Sequence, residues 1–132
     1  METRIAMKLS DLCDKWVILR MKVRFDPALA TEEEVCRKEV FRIMDGLPEA
    51  GEMILALLTL TEMNARIWEK EAAIRKEYKA DLAAQGELDY EEIGRRAVTI
   101  RDYNRLRIEA KVALDRIEGR VPERKFEHAS GE

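Results

Sequence analysis

Turn-forming residues are scarce in this chain of 132 residues, which has six glycines and three prolines. A many-stranded β fold needs such residues at every few positions, so their scarcity excludes one. The single histidine, His128, stands in a polar segment, which excludes a His-based zinc cluster and a Cys/His catalytic dyad. Cys13 and Cys36 are the only cysteines. Both fall at apolar positions of expected helices and read as buried reduced thiols, not as a disulfide framework. The longest apolar run, Met53 to Leu58 with Leu60 following, is far short of a membrane span. Arg4, Lys8, Asp11, Asp14, Lys15 and Arg20 interrupt the first twenty residues, unlike a signal peptide. Neither sign of charge dominates: 24 basic and 27 acidic side chains leave a net charge of −3. No global field then favours nucleic acid or an anionic membrane. The expectation is a soluble cytoplasmic protein.

What is present is a chain with 46% hydrophobic and 39% charged residues, too apolar for disorder and long enough for one core. Periodicity and capping signals predict four helices. The first runs from Asp11 to Phe25 behind Ser10 as N-cap, with Leu9, Leu12, Trp16, Leu19 and Val23 on one stripe and Pro27 beyond its end. The second is announced by a capping box of Thr31 and Glu34; its stripe is Cys36, Val40, Ile43 and Leu47, with Gly46 at its end. Pro48 fits the first turn of a third helix over Glu49 to Ala84, roughly 50 Å long at the helical rise. After a polar link at residues 85–88, Asp89 and Glu92 open a fourth helix that ends near Gly119. An extended lead-in at Ile5 to Leu9 is the one candidate for strand. The expected architecture is all-α: an antiparallel bundle of a long helix 3/helix 4 hairpin and two shorter N-terminal helices. It occupies residues 1–120, and 121–132 form a mobile tail in which Phe126 is a candidate to dock. Two short helices cannot cover two long ones, so a homodimer is expected to bury the remaining apolar surface.

The long helices turn polar where their stripes should be apolar. Helix three reads Ile54, Leu57, Thr61, Asn64, Trp68, Glu71, Arg75, Tyr78, and helix four reads Ile93, Ala97, Ile100, Asn104, Arg107, Lys111, Leu114. Antiparallel pairing about a link near residue 87 sets Glu71 opposite Asn104 and Arg107, and Asn64 near Lys111. Two readings follow. Glu71 pairs with Arg107 and Arg75 while the asparagines set the register of the hairpin. Alternatively, Arg75, Arg107 and Lys111 are three cations against one carboxylate, a surplus suited to a phosphate or carboxylate ligand. A second phase of helix four, through Ile100, Tyr103, Leu106, Ala110 and Leu114, moves Arg107 and Lys111 to the flank.

Asp14-Lys15 with Ile18-Leu19 and Lys22, then Asn64, Ile67-Trp68, Glu71 and Ile74-Arg75, then Asn104, Arg107 and Lys111, and Glu123-Arg124-Lys125-Phe126 in the tail, form a further pattern. Their order and spacing resemble an uncharacterised bacterial domain-of-unknown-function family whose members are often encoded among surface-polysaccharide genes. The resemblance implies an intracellular helical protein whose shared polar residues are the inward set; it implies no activity. Members carry acidic residues where Arg20, Ala72 and Arg105 stand here, a departure that weakens any central site of paired carboxylates.

Small helical pyrophosphatases hold magnesium with ExxE and ExxD pairs. Glu49 with Glu52 and Asp115 with Glu118 form such pairs at one end of the hairpin and are the alternative metal set, although Glu49 and Glu52 also sit where a helix dipole favours acids. The run Arg95, Arg96, Arg101, Arg105, Arg107 and Lys111 around Tyr103 is interrupted by Asp102 and Glu109, so nucleic acid is a disfavoured partner. No nucleophile has a base beside it and no cofactor is implied. The functional expectation is a non-enzymatic cytoplasmic protein that binds a small anionic ligand or a protein partner through Asn64, Glu71, Arg75, Asn104, Arg107 and Lys111. The alternative is a metal-assisted enzyme acting on a nucleotide or nucleotide sugar, with Glu71 as general base or metal ligand.

Overall fold

The computed structural model describes residues 4–83, 90–120 and 127–129. The order of elements is β1 (Arg4–Ala6), α1 (Leu9–Lys22), a 3-10 turn (Pro27–Leu29), α2 (Ala30–Asp45), α3 (Ala50–Ala83), α4 (Tyr90–Gly119) and β2 (Glu127–Ala129). The four-helix, all-α architecture is the expected one. Asp89, the link at 85–88, and Glu123 to Phe126 lie outside the described residues.

Glu52 at the start of α3 pairs with Arg120 just beyond α4 at 3.0 Å, and the Arg66 guanidinium sits 5.6 Å from the centroid of the Tyr103 ring. These contacts fix α3 and α4 as an antiparallel hairpin. On it lies α1, which touches all three other helices. Because α1 is enclosed from three sides, its buried arc is broad: Leu9, Ser10, Leu12, Cys13, Asp14, Trp16, Val17 and Leu19. They meet Cys36, Val40, Ile43 and Leu47 of the α2 segment, Met53, Ala56, Leu57 and Leu60 of α3, and Ala110, Leu114 and Ile117 of α4. Fully burying each of these larger aliphatic side chains contributes about 1.5–3 kcal/mol. The core belongs to one end of the hairpin. Among the described residues, none of α3 beyond Asn64 and none of α4 before Ala110 is buried.

Several expected boundaries are corrected. Ser10 is not an N-cap: α1 begins at Leu9 behind Lys8, and Ser10 is buried within its first turn. Helix α2 starts at Ala30 without a side-chain cap from Thr31 or any other residue. Capping has moved upstream to Asp26, whose Oδ1 accepts from the Ala28 N–H at 3.1 Å and orders the 3-10 turn that feeds α2. Glu34 pairs instead with Lys38 at 3.1 Å. Pro48 stands just outside α3, where the Glu49 carbonyl accepts the first helical bond from the Met53 N–H. Strand β1 is shorter than the extended lead-in predicted, and β2 falls within the segment expected to be a tail. The two pair antiparallel with Ile5 opposite His128. Strands of three residues carry no periodic signal, and this partner comes from the far end of the chain.

Candidate functional site

The polar side chains of the hairpin close on a residue of α1. Asp14 is buried, and three bonds converge on its carboxylate. Oδ1 accepts from Asn64 Nδ2 and from Arg107 Nε, both at 3.0 Å, and Oδ2 accepts from Arg107 Nη2 at 2.5 Å. The fork of the guanidinium matches both carboxylate oxygens, the geometry in which an arginine pair is strongest. Arg107 Nη1 donates onward to Asn104 Oδ1 at 3.1 Å, and Asn64 Nδ2 also donates to the Leu60 carbonyl at 2.9 Å. One turn along, Lys111 Nζ pairs with Asp11 Oδ1 at 3.0 Å.

Burial by itself would raise the Asp14 carboxyl. The hydrogen bonds from Arg107 and Asn64, with the charges of Arg107 and Lys111, outweigh it and hold the group below the ordinary aspartate value. In return, the bond to Asp14 raises Arg107 against the opposing effect of its own partial burial. Both groups stay ionised over the neutral range.

Of the six residues expected at the site, Asn64, Asn104, Arg107 and Lys111 are brought together, and Glu71 and Arg75 are not. Both of those are exposed. The predicted Glu71–Arg107 pair is replaced by Asp14–Arg107, because α1 reaches Arg107 while Glu71 lies on the part of the hairpin beyond the core. The count of charges changes with it. Two cations, Arg107 and Lys111, face two carboxylates, Asp14 and Asp11, so the surplus of positive charge does not form. Thr61, also expected to face inwards, is exposed and satisfies its hydroxyl at the Leu57 carbonyl, 2.8 Å away. The side chain of Tyr78 lies outside the described residues.

Asp14 is the residue that stripe analysis missed. The charge pattern of α1 does not mark it: Asp11, Lys15, Arg20 and Lys22 of the same helix are exposed, and Asp14 is the one charged residue of α1 that is buried.

No protein-family model, curated protein or solved structure matches the chain. What bears on function is then the chemistry of these side chains.

Three of the four carboxylates of the alternative metal set have other work, and Glu49 Oε2 is buried with no hydrogen-bond partner among the described residues. Glu118 Oε2 accepts from the Leu9 N–H at 3.1 Å, and Asp115 Oδ1 accepts from the Ser10 hydroxyl at 2.6 Å. Two acids of α4 thus sit at the N-terminus of α1, where free amides and the helix dipole favour negative charge. Glu52 is held by Arg120. Among the described residues no three His, Cys, Asp or Glu side chains converge as a metal site. Most of the basic run on α4 is engaged as well: Arg95 with Glu91 and Glu92, Arg96 with Glu92, Arg101 with Asp102, while Arg105 has no ion-pair partner among the described residues.

A second polar contact ties α1 to α2. Trp16 Nε1 donates to Glu33 Oε2 at 2.8 Å, and Glu33 Oε1 accepts from Arg37 at 2.7 Å. Cys13 and Cys36 are free and buried. Burial, reinforced by the charges of Asp14 and Glu118, pushes the Cys13 thiol up to about 12, and burial also raises Cys36. Neither thiol is a nucleophile at neutral pH. No helix among the described residues is long and apolar enough to cross a membrane.

Proposed function

We propose that this is a non-catalytic helical protein that engages a protein partner through the outer face of α3, with the Asp14–Arg107 cluster as the latch that holds the bundle under that face. The observation that carries this reading is a patch at the start of α3. Ile54, Leu55 and Leu58 are 46%, 67% and 61% exposed within five successive residues, on the side turned away from Met53, Leu57 and Leu60. Adjoining large aliphatic side chains left in water mark an interaction surface. The small-anion reading loses support from the neutral balance of the cluster, since Arg107 and Lys111 already have carboxylate partners. The resemblance to a bacterial helical family agrees with the latch: Asp14, Asn64, Asn104, Arg107 and Lys111, five of the residues that carry it, are those that meet here. The two unbridged thiols accord with a cytoplasmic location.

Two measurements test this. A thermal-shift series with inorganic phosphate, ATP and UDP-glucose, each with and without magnesium, is expected to leave Tm unchanged; a rise needing magnesium would favour the enzymatic alternative, and a rise without it an anion receptor. A photoreactive residue at position 55, introduced in the source cell, is expected to give a defined protein adduct. Leu58→Asp should abolish that adduct while leaving helicity and Tm unchanged. No adduct, or one indifferent to Leu58→Asp, removes the α3 face from consideration.

A further inference from the structure

The outward face of α4 carries a pattern of a different kind. Val98, Ile108 and Val112 are 47%, 56% and 40% exposed, whereas the buried residues of the same helix, Ala110, Leu114 and Ile117, point the other way. Ile100, Arg101, Asn104, Arg105, Ile108 and Glu109 are among the residues lining a shallow groove along it, and Arg101 is paired with Asp102. Arg105 and Glu109 are one turn apart, both exposed, and neither has an ion-pair partner among the described residues. On the hairpin surface Arg66 pairs with Glu62 and Arg95 with Glu91 within a turn, whereas Arg75 and Arg116 are, like Arg105, exposed without an ion pair among the described residues.

A cation and an anion on one edge of an aliphatic face are self-complementary under a two-fold axis. We propose that a second copy of this chain docks on this face of α4, with the two α4 helices antiparallel and the axis passing midway between Arg105 and Glu109. Each Arg105 then meets Glu109 of the other copy, so that the pair forms twice, and the two Ile108 side chains pack beside the axis. The direction is decided by charge. A parallel pair about an axis along the helices sets Arg105 beside Arg105 and Glu109 beside Glu109, two repulsions in place of two attractions. The same contact covers a stretch of α4 that the short helices leave open, since no described residue before Ala110 is buried. It involves no residue of the α3 patch, so this inference and the proposed function stand or fall separately.

Sedimentation velocity on the full chain over a concentration series tests it. The wild type is expected to dimerise and Ile108→Asp to be monomeric. Arg105→Glu and Glu109→Arg should each weaken association about tenfold, as two symmetry-related pairs are lost together. The double variant Arg105→Glu/Glu109→Arg should return close to wild-type affinity, because the pair is restored with its signs exchanged. All three substitutions fall on exposed residues, and circular dichroism and Tm of the four variants are expected to match the wild type. A wild type that stays monomeric, a dimer indifferent to Ile108→Asp, or a double variant no stronger than the singles would overturn the proposal.

Discussion

Arg107 and Asp14 stand 93 positions apart in the chain, and the guanidinium of one closes on both carboxylate oxygens of the other at 3.0 and 2.5 Å. This contact joins α4 to α1, and Asn64 brings α3 to the same carboxylate. A half-enclosed ion pair supplied with extra hydrogen bonds is expensive to break from one side, since the remaining charge keeps its burial without its partner.

Replacing Asp14 with Ala should therefore cost about 2–3 kcal/mol, less than the roughly 3–5 kcal/mol of a fully buried pair because Arg107 keeps some access to water. Arg107→Ala should cost a similar amount, and the double variant less than the two together, with a coupling of about 1.5–3 kcal/mol. Glu71→Ala and Arg75→Ala, at exposed positions, should stay within about 0.5 kcal/mol of wild type. Urea unfolding of the five variants beside the wild type checks this. A Glu71 variant as damaging as the Asp14 variant would contradict the arrangement.

The lowered Asp14 carboxyl makes the latch sensitive to acid in a defined direction. Above the ordinary aspartate value of 3.8 the group is ionised in both folded and unfolded chains, and its contribution is complete. As pH falls below 3.8, the unfolded chain takes up the proton first, and stability is lost progressively until the folded carboxyl is protonated too. The stability gap between wild type and Asp14→Asn should be constant at neutral pH and shrink through that acid window. Denaturant titrations from pH 7 down to pH 3 measure it, and a gap that widens in acid would reverse the assignment.

Thiol chemistry gives an independent reading of the core. With Cys13 pushed up to about 12 and Cys36 also raised, both buried, the native protein should react slowly with a disulfide reagent at pH 8. Reaction should become fast, at both cysteines, once urea opens the bundle. A rapid reaction of either thiol in native buffer would show that its segment opens locally.

The Trp16–Glu33 bond supports a spectroscopic test. Trp68, stacked on Phe25 with ring centroids 5.9 Å apart, is the other tryptophan, and Trp68→Phe isolates the emission of Trp16. On that background Glu33→Ala leaves a buried indole N–H without its acceptor, which should cost about 1–3 kcal/mol. It should also shift Trp16 emission to the red as water enters. Glu33→Gln keeps an acceptor and should cost less.

Much of the fold is legible in local pattern. The stripe Cys36, Val40, Ile43 and Leu47 is buried as its spacing predicts, Gly46 ends α2, and the long uninterrupted run from Ala50 forms one helix because nothing in it breaks the backbone ladder. The polar positions Asn64, Asn104, Arg107 and Lys111 are equally visible, since each replaces an apolar residue on a stripe. Glu71 and Arg75 belong to the same periodic pattern and yet are exposed, because a stripe shows which face a residue shares and not where along the helix the neighbouring helices end.

Helix number and the approximate extent of each helix are set by the amino-acid order alone, because each depends on residues within a few turns of one another, whereas the expected stripe position Ile54 is exposed and Met53 and Leu60 are buried in its place. The tertiary structure alone decided which acid meets Arg107 and what caps α1. Those outcomes depend on how α1 rolls against a hairpin formed much later in the chain, and on which carboxylates of α4 that roll brings to Leu9 and Ser10. Asp11 and Asp14 lie one turn apart on α1, about 60° around its axis, and no local pattern distinguishes which of the two meets Arg107 until the helices are packed.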